Sequence, residues 1–463
     1  MHTPFAPELQ RKIILKVSWR LLPLIVLCYL INYIDRTNVS FAALTMNKDI
    51  GLTAYLYGWG AGIFFFSYAF FEVPSNMVLE KVGARLWIAR IMLSWGLISG
   101  AMCLAQGPIS FLALRFALGA AEAGFFPGMI YYLTKWFPWP VRARAISILY
   151  IAVPVSNAIA SIVSGIILTE MDGTLGLKGW QWVFVIEAIP AVVLAFFVLW
   201  LLTERPSQAE WLKPEERDWL EAELAAERSK IESVRQLSMK EALLDARVWV
   251  LSAIYFTGVT GSYGLVFFMP QIVKSLGMSN LMTGFVTAIP YVFGTIGLIA
   301  WGYSSDRSKE RRWHLITSTG LAAVGFVLAA ITSHSYWAIV GMAVAAVGIY
   351  GSRPSFWPMP SLFLTGGAAA VGMALINSIG NLGGYLGPII VGKIKDTTGH
   401  FEWALYFMAA CLAVSTVIAY LATRSTRDGG LAPAKPRAGA HHGGRRAIGA
   451  DRSQAAKLSR TRR

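Results

Sequence analysis

The stretch LINYIDRTNVSFAAL, residues 30–44, sets Asp35 beside Arg36 in a run otherwise apolar enough to cross a membrane. A second acid and base, Arg115 and Glu122, stand in the equally apolar RFALGAAEAGFFPG. An ionisable group inside a bilayer is costly unless it pairs or meets water, so each of the four requires a partner. Asp35 and Arg36 are neighbours in sequence and point about 100° apart on a helix, so they do not face each other. Arg115 and Glu122 share a helix face two turns apart, with Gly119 between them to admit a neighbouring helix. At ~1.5 Å per residue, Asp35 lies roughly 21 Å and Arg115 roughly 22 Å from the same membrane face, and the two are expected to meet. Glu122 then falls near the bilayer centre.

The chemistry divides by charge. Arg36 and Arg115 stay protonated, and a planar guanidinium fork matches a carboxylate, so both suit the holding of an anion. Asp35 and Glu122 can exchange a proton; a carboxylate that loses its arginine to an arriving anion would take one up, which is a coupling mechanism without further parts. The competing reading is a static salt bridge that locks two helices. Weaker candidates are Tyr33, Tyr68 and Asn377, each as readily packing or helix-to-helix bonding, and Trp357 and Arg353 in the Pro-interrupted GSRPSFWPMP. Arg353 is either a third anion contact or a side chain reaching the membrane interface, which its depth favours. Glu72 and Glu187 read as helix-pairing acids.

These residues need helices to hold them. The chain of 463 residues is 55% hydrophobic and only 14% charged, far from the composition of a soluble domain. Twelve spans can be marked, near 21–41, 58–79, 86–106, 110–136, 143–169, 180–202, 248–273, 282–303, 313–332, 336–364, 368–391 and 403–423, each long enough for ~30 Å of hydrocarbon. The expected fold is an all-α membrane protein of twelve transmembrane helices in two pseudo-symmetric six-helix bundles. Residues 1–20 form the N-terminal segment, 21–202 the first bundle, 203–247 the inter-bundle loop, 248–423 the second bundle and 424–463 a basic, disordered tail. The loop carries a Pro-started charged helix from Pro214 and reads as a solvated linker.

The net charge of +15 follows topology rather than a nucleic-acid-binding face. Even-numbered turns hold Lys81, Arg85, Arg142, Arg307 and Arg312, so both termini are expected in the cytoplasm; Lys393 and Lys395 run against this rule. The tail suits lipid attraction. Arg11, Lys12 and Lys16 precede the first span as in a signal peptide, but no small-residue cleavage site follows, so the helix is retained. Three cysteines scattered through the spans and dispersed histidines offer no disulfide or metal framework. No phosphate-binding loop, nucleophile–base set or output domain is visible, so neither a nucleotide-driven pump, an enzyme nor a sensor is favoured.

GYSSDRSKERR after the eighth span and NMVLEKVGARLW after the second occupy equivalent turns at one offset, as duplicated bundles would. With twelve spans and a long middle loop, this resembles the major facilitator superfamily, whose turns carry Gly-x-x-x-Asp-Arg. The first copy departs at Asn76, Glu80 and Lys81. YIDRTNVSFAAL, RFALGAAEAGFFPG and INSIGNLGGYLGP resemble more narrowly the anion:cation symporter family, in its bacterial tartrate, phthalate and sugar-acid permease branch. The resemblance implies proton-coupled uptake of a small organic carboxylate by alternating access across the bacterial inner membrane. No cofactor is implied beyond the proton, and a monomer is expected to suffice. It also implies protonation at Asp35 and Glu122, anion binding at Arg36 and Arg115, substrate contact from Tyr33, Tyr68, Trp357 and Asn377, and gating at Glu80, Gly83, Arg85, Gly302, Asp306 and Arg307. IAVPVSNAIASIVSG lacks the Pro-Gly-Gly pattern of proton-driven drug exporters, which argues against antiport. An anion exchanger or facilitator without obligatory proton coupling is the alternative.

Overall fold

The computed structural model of the protein describes residues 6–233, 244–360 and 366–424. The expected basic tail, from 425 onward, lies outside them. Every regular element among the described residues is a helix. The first half contains α1 (Pro7–Asp49), α2 (Ala54–Val82), α3 (Ala84–Ala101), α4 (Pro108–Glu122), α5 (Phe125–Thr134), α6 (Trp139–Glu170) and α7 (Gly179–Leu201). A loop helix, α8 (Pro214–Ser233), follows. The second half contains α9 (Ala246–Lys274), α10 (Asn280–Ser308), α11 (Arg312–Ile331), α12 (Trp337–Phe356), α13 (Gly366–Thr398) and α14 (Glu402–Arg424).

Eleven spans are long and apolar enough to cross a membrane, α4 and α5 together making one of them. The twelfth crossing helix is α12, 20 residues long, whose apolar content is diluted by its glycines and Arg353. Several helices outrun the hydrocarbon; α1 begins at Pro7, well before the apolar run starts, and its charged first turns lie at the terminal end, where the described residues begin and end.

The bundles meet at the opposite, far end. There the helices touch backbone to backbone because glycine removes the side chain. A Cβ on Gly58 of α2 would lie 2.3 Å from the carbonyl oxygen of Pro388 on α13, and one on Gly392 would lie 2.2 Å from that of Ala54. Gly165 of α6 and Gly284 of α10 stand in the same relation, with a Cβ on Gly284 coming 2.6 Å from the Ser161 carbonyl oxygen. Asp396 on α13 accepts hydrogen bonds from the amides of Ala54 and Tyr55, 3.0 and 2.8 Å, at the start of α2. The hydrogen bonds described between the bundles all lie at the far end or mid-depth; the others are Tyr57 to the Phe267 carbonyl and Asn157 to Tyr350. The core repeats the pattern: one apolar cluster runs through both bundles, while Val248, Leu251, Ile254, Leu315 and Phe356, at the terminal end of the second bundle, form a separate one.

The loop helix corrects the solvated-linker reading. Leu220 and Leu224 of α8 are buried one turn apart, which gives the charged helix an apolar seam. Its ends are tied to the first bundle by Glu216 to Lys16 at 2.7 Å and Glu227 to Arg142 at 2.9 Å, and Trp211 stacks on Trp136. Just before it, Glu204 accepts from the amides of Ala84 and Arg85 and pairs with Lys135. It thereby caps α3 across the turn at Gly83, whose φ of 100° favours glycine. Partial burial works against the Glu204 charge, but Lys135 and the two amides outweigh it and hold the carboxyl below its usual 4.5. The cap therefore contributes stability at pH above 4.5 and loses it as pH falls through the lowered value. Glu204→Ala is expected to destabilise the protein by about 1–2 kcal/mol at neutral pH. Melting in detergent checks this, and the difference from the unsubstituted protein should shrink below pH 4.5.

Candidate functional site

The site is built where α4 stops. Ala123 leaves helical geometry and Gly124 takes a left-handed φ of 86°, so the expected single span over 110–136 is two helices with Glu122 at the break. Gly124 is forced by contact as well as by φ, since a Cβ there would lie 2.4 Å from the Ser75 hydroxyl of α2. One turn earlier Gly119 presses on α2, where a Cβ would meet the Phe64 carbonyl oxygen at 2.2 Å. Glu122 is thus carried to α1.

There it meets Arg36. The Arg36 Nε donates to Glu122 Oε1 at 3.1 Å and its Nη2 donates to the same oxygen. Both donors converge on one oxygen, and Oε2 has no donor among the described residues. The guanidinium also lies over the rings of Tyr33, Phe64 and Tyr68, 5.0 to 5.4 Å from their centroids. Such faces stabilise a desolvated cation by about 2 kcal/mol.

Asp35 turns to the other side of α1. Trp95 Nε1 donates to its Oδ2 at 2.7 Å and Ser99 Oγ to its Oδ1 at 3.0 Å, both from α3. The expected meeting of Asp35 with Arg115 does not occur. Arg115 is fully buried; its Nε donates to the Gly60 carbonyl at 2.9 Å, its guanidinium faces the Phe64 ring, and its terminal nitrogens have no acceptor among the described residues. Axial depth alone did not fix azimuth, and α3 supplied neutral donors that the charge pattern could not show.

A cavity lies between the bundles. The first bundle contributes Tyr33, Arg36, Thr37, Tyr150 and Asn157, and the second Tyr255, Tyr263, Tyr350 and Arg353. Arg353 therefore faces the cavity. Tyr68 lies behind Arg36, and Trp357 packs edge-on to Tyr255 at 5.1 Å; neither lines the cavity. Asn377 is half-buried on α13, one turn before Gly380. Glu187 accepts from Ser164 at 2.6 Å, a bond between α7 and α6, and Glu72 is buried on α2.

The expected gating residues lie at the terminal end. Glu80 is exposed, Gly83 forms the turn, and the Arg85 guanidinium donates to the Leu199 carbonyl. Gly302 abuts Pro354, Asp306 pairs with Arg311 at 2.6 Å, and Arg307 reaches Tyr303. Sequence reasoning missed Tyr150, Tyr255, Tyr263, Tyr350 and Asn157 in the cavity and Glu204 at the gating turn. The only signal was polar residues at mid-span, which many packing residues share.

Two helical bundles with a cavity between them that Arg36 and Arg353 line define a multi-pass membrane transporter rather than an enzyme. Comparison with known proteins agrees: the model of the Major Facilitator Superfamily matches residues 25–388 and 251–459, and the chain belongs to that family. A protein of Agrobacterium vitis named "Putative tartrate transporter" is 46% identical over 93% of this chain and 99% of its own. A "Quinolone resistance transporter" of Acinetobacter baumannii is 41% identical over 89% of this chain and 95% of its own. The fold matches the crystal structure of a bacterial homologue of the lysosomal transporter Spinster, inward-facing and unoccupied, with a TM-score of 0.72 over 89% of this chain and 98% of that one at 19% identity.

Arg36→Lys replaces the fork with a point charge that cannot reproduce its paired donors or its ring contacts. The substituted protein is expected to melt at a lower temperature than the unsubstituted one, read by thermal unfolding of the purified protein in detergent.

Proposed function

We propose that the protein is a proton-coupled symporter that takes up a small organic carboxylate, such as tartrate, a sugar acid or an aromatic acid, by alternating access. The observation that carries this reading is the Arg36–Glu122 pair, placed so that Arg36 lines the cavity and Glu122 does not. An arriving carboxylate competes with Glu122 for Arg36. Stripping one partner from a buried pair leaves an uncompensated charge at a cost of about 3–5 kcal/mol. A proton on Glu122 removes that cost, so substrate and proton load together. Loss of either restores the pair. Asp35, held by Trp95 and Ser99 and without a cationic partner among the described residues, is a second proton-accepting group in this scheme.

The distribution of Lys and Arg supports cytoplasmic termini in a bacterial inner membrane. On that orientation the sealed far end is external and the structure is the inward-facing state. The likeness to a tartrate transporter supports the substrate class, and the lack of a Pro-Gly-Gly run in the fifth span supports uptake over drug export.

The test is uptake into proteoliposomes under an imposed pH gradient, with a panel of carboxylates. Accumulation of at least one against its gradient is expected; none would end the symporter reading. Glu122→Gln is expected to abolish uphill uptake while leaving counterflow exchange within about threefold, because a neutral side chain mimics the permanently loaded state. Uphill uptake that survives the change would take the coupling role away from Glu122.

A further inference from the structure

Two arginines face the cavity, and only one has a counter-ion. Arg36 is paired with Glu122, whereas no carboxylate among the described residues lies within ion-pair distance of Arg353. Its guanidinium stands 5.1 Å from the centroid of the Tyr255 ring. Arg115, also without an acid among the described residues, is enclosed and bonded to a backbone carbonyl, whereas Arg353 faces the cavity, where an anion can come and go.

The surroundings are built to hold it still. Tyr255 stacks on Phe356 at 5.1 Å and meets Trp357 edge-on at the same distance, while Gly380 on α13 lies so close that a Cβ would stand 1.9 Å from the tyrosine ring. On the other side Gly351 packs against the Trp301 indole, and Pro354 against Gly302. The proline at the next position withholds a helix amide and fixes the local φ, so the last turn of α12 is shaped around Arg353. Trp357 and Gly380 act here as positioning residues.

We infer that Arg353 receives a second carboxylate, so that the preferred substrate is a short dicarboxylate bridging Arg36 of the first bundle and Arg353 of the second. This rests on the carboxylate-symport reading above. Each guanidinium fork matches one carboxylate, and Tyr33, Tyr150, Tyr350 and Asn157 line the same cavity, which suits a hydroxylated spacer. Charge balance points the same way. Once Glu122 has given up Arg36 and taken a proton, two free guanidiniums face the substrate, and two carboxylates neutralise them. A bridging ligand also ties the bundles together across the cavity, whereas a monocarboxylate can satisfy only one of them.

The test compares matched ligand pairs that differ by one carboxylate: tartrate and its half-amide, succinate and succinamate, phthalate and phthalamate. Binding to the full-length protein is measured by calorimetry for the unsubstituted chain, Arg353→Gln and Arg353→Lys. The unsubstituted protein is expected to favour the diacid at least tenfold in one pair or more. Arg353→Gln should bring that ratio near one while keeping half-amide affinity within about threefold, which also shows the fold intact. Arg353→Lys should retain part of the preference, because the charge remains and the fork is lost. Equal weakening of both members of each pair by Arg353→Gln, or no diacid preference at the outset, would overturn the inference and leave carboxylate transport standing. If no ligand of any pair binds the unsubstituted protein, the dicarboxylate inference is overturned, and the uptake panel above decides the carboxylate reading separately. Should Arg353→Gln not fold, Arg353→Lys decides: a reduced diacid ratio supports the assignment, and an unchanged one overturns it.

Discussion

The pairing of Arg36 with Glu122 depends on α4 ending where it does. Any side chain at residue 124 would collide with the Ser75 hydroxyl of α2, so glycine alone lets the chain turn directly after Glu122. Because Gly124 adopts a left-handed φ, the carboxylate is delivered to a guanidinium already enclosed by tyrosine and phenylalanine rings. In water such a pair is worth ~1 kcal/mol or less; away from water its integrity outweighs most other single contacts. The same enclosure makes the pair vulnerable only from the cavity side, where a competing anion can arrive.

Much of this was legible in the residues themselves. The separation of Asp35 from Arg36 follows from helix geometry, and it is observed, with the two side chains bonded to α3 and α4 respectively. Gly119 as a point of close approach was equally readable, because a glycine between two charges on one face has few other uses. The partner of Asp35 was not. Residue depth limits which groups can meet, but helix rotation decides which do, and Trp95 and Ser99 carry no charge to betray them. The loop helix was misread for a related reason: its composition is polar, and only the spacing of Leu220 and Leu224 reveals that one edge is covered.

The two ends of the molecule are held by different physics. At the far end, glycines let backbones touch across the bundles, an interaction made of many small dispersion terms that vanish together when the helices part. At the terminal end, the described ties between Glu204, Lys135, Arg142 and Glu227 stay within the first bundle and its loop, so they stiffen one half without joining it to the other. A carrier needs this asymmetry. Each half must stay rigid while the contact between halves is made and unmade.

The Asp396 carboxylate crosses to the other bundle and finds two backbone amides at the start of α2 rather than a basic side chain. The positive partner is therefore the peptide chain itself, with the partial charge that every helix carries at its first turn. Residues 54 and 55 can change identity without altering their half of the bond, proline excepted, whereas any change at 396 that removes the carboxylate breaks it. No compensating pair of substitutions would ever mark this contact, although it joins the two halves of the molecule.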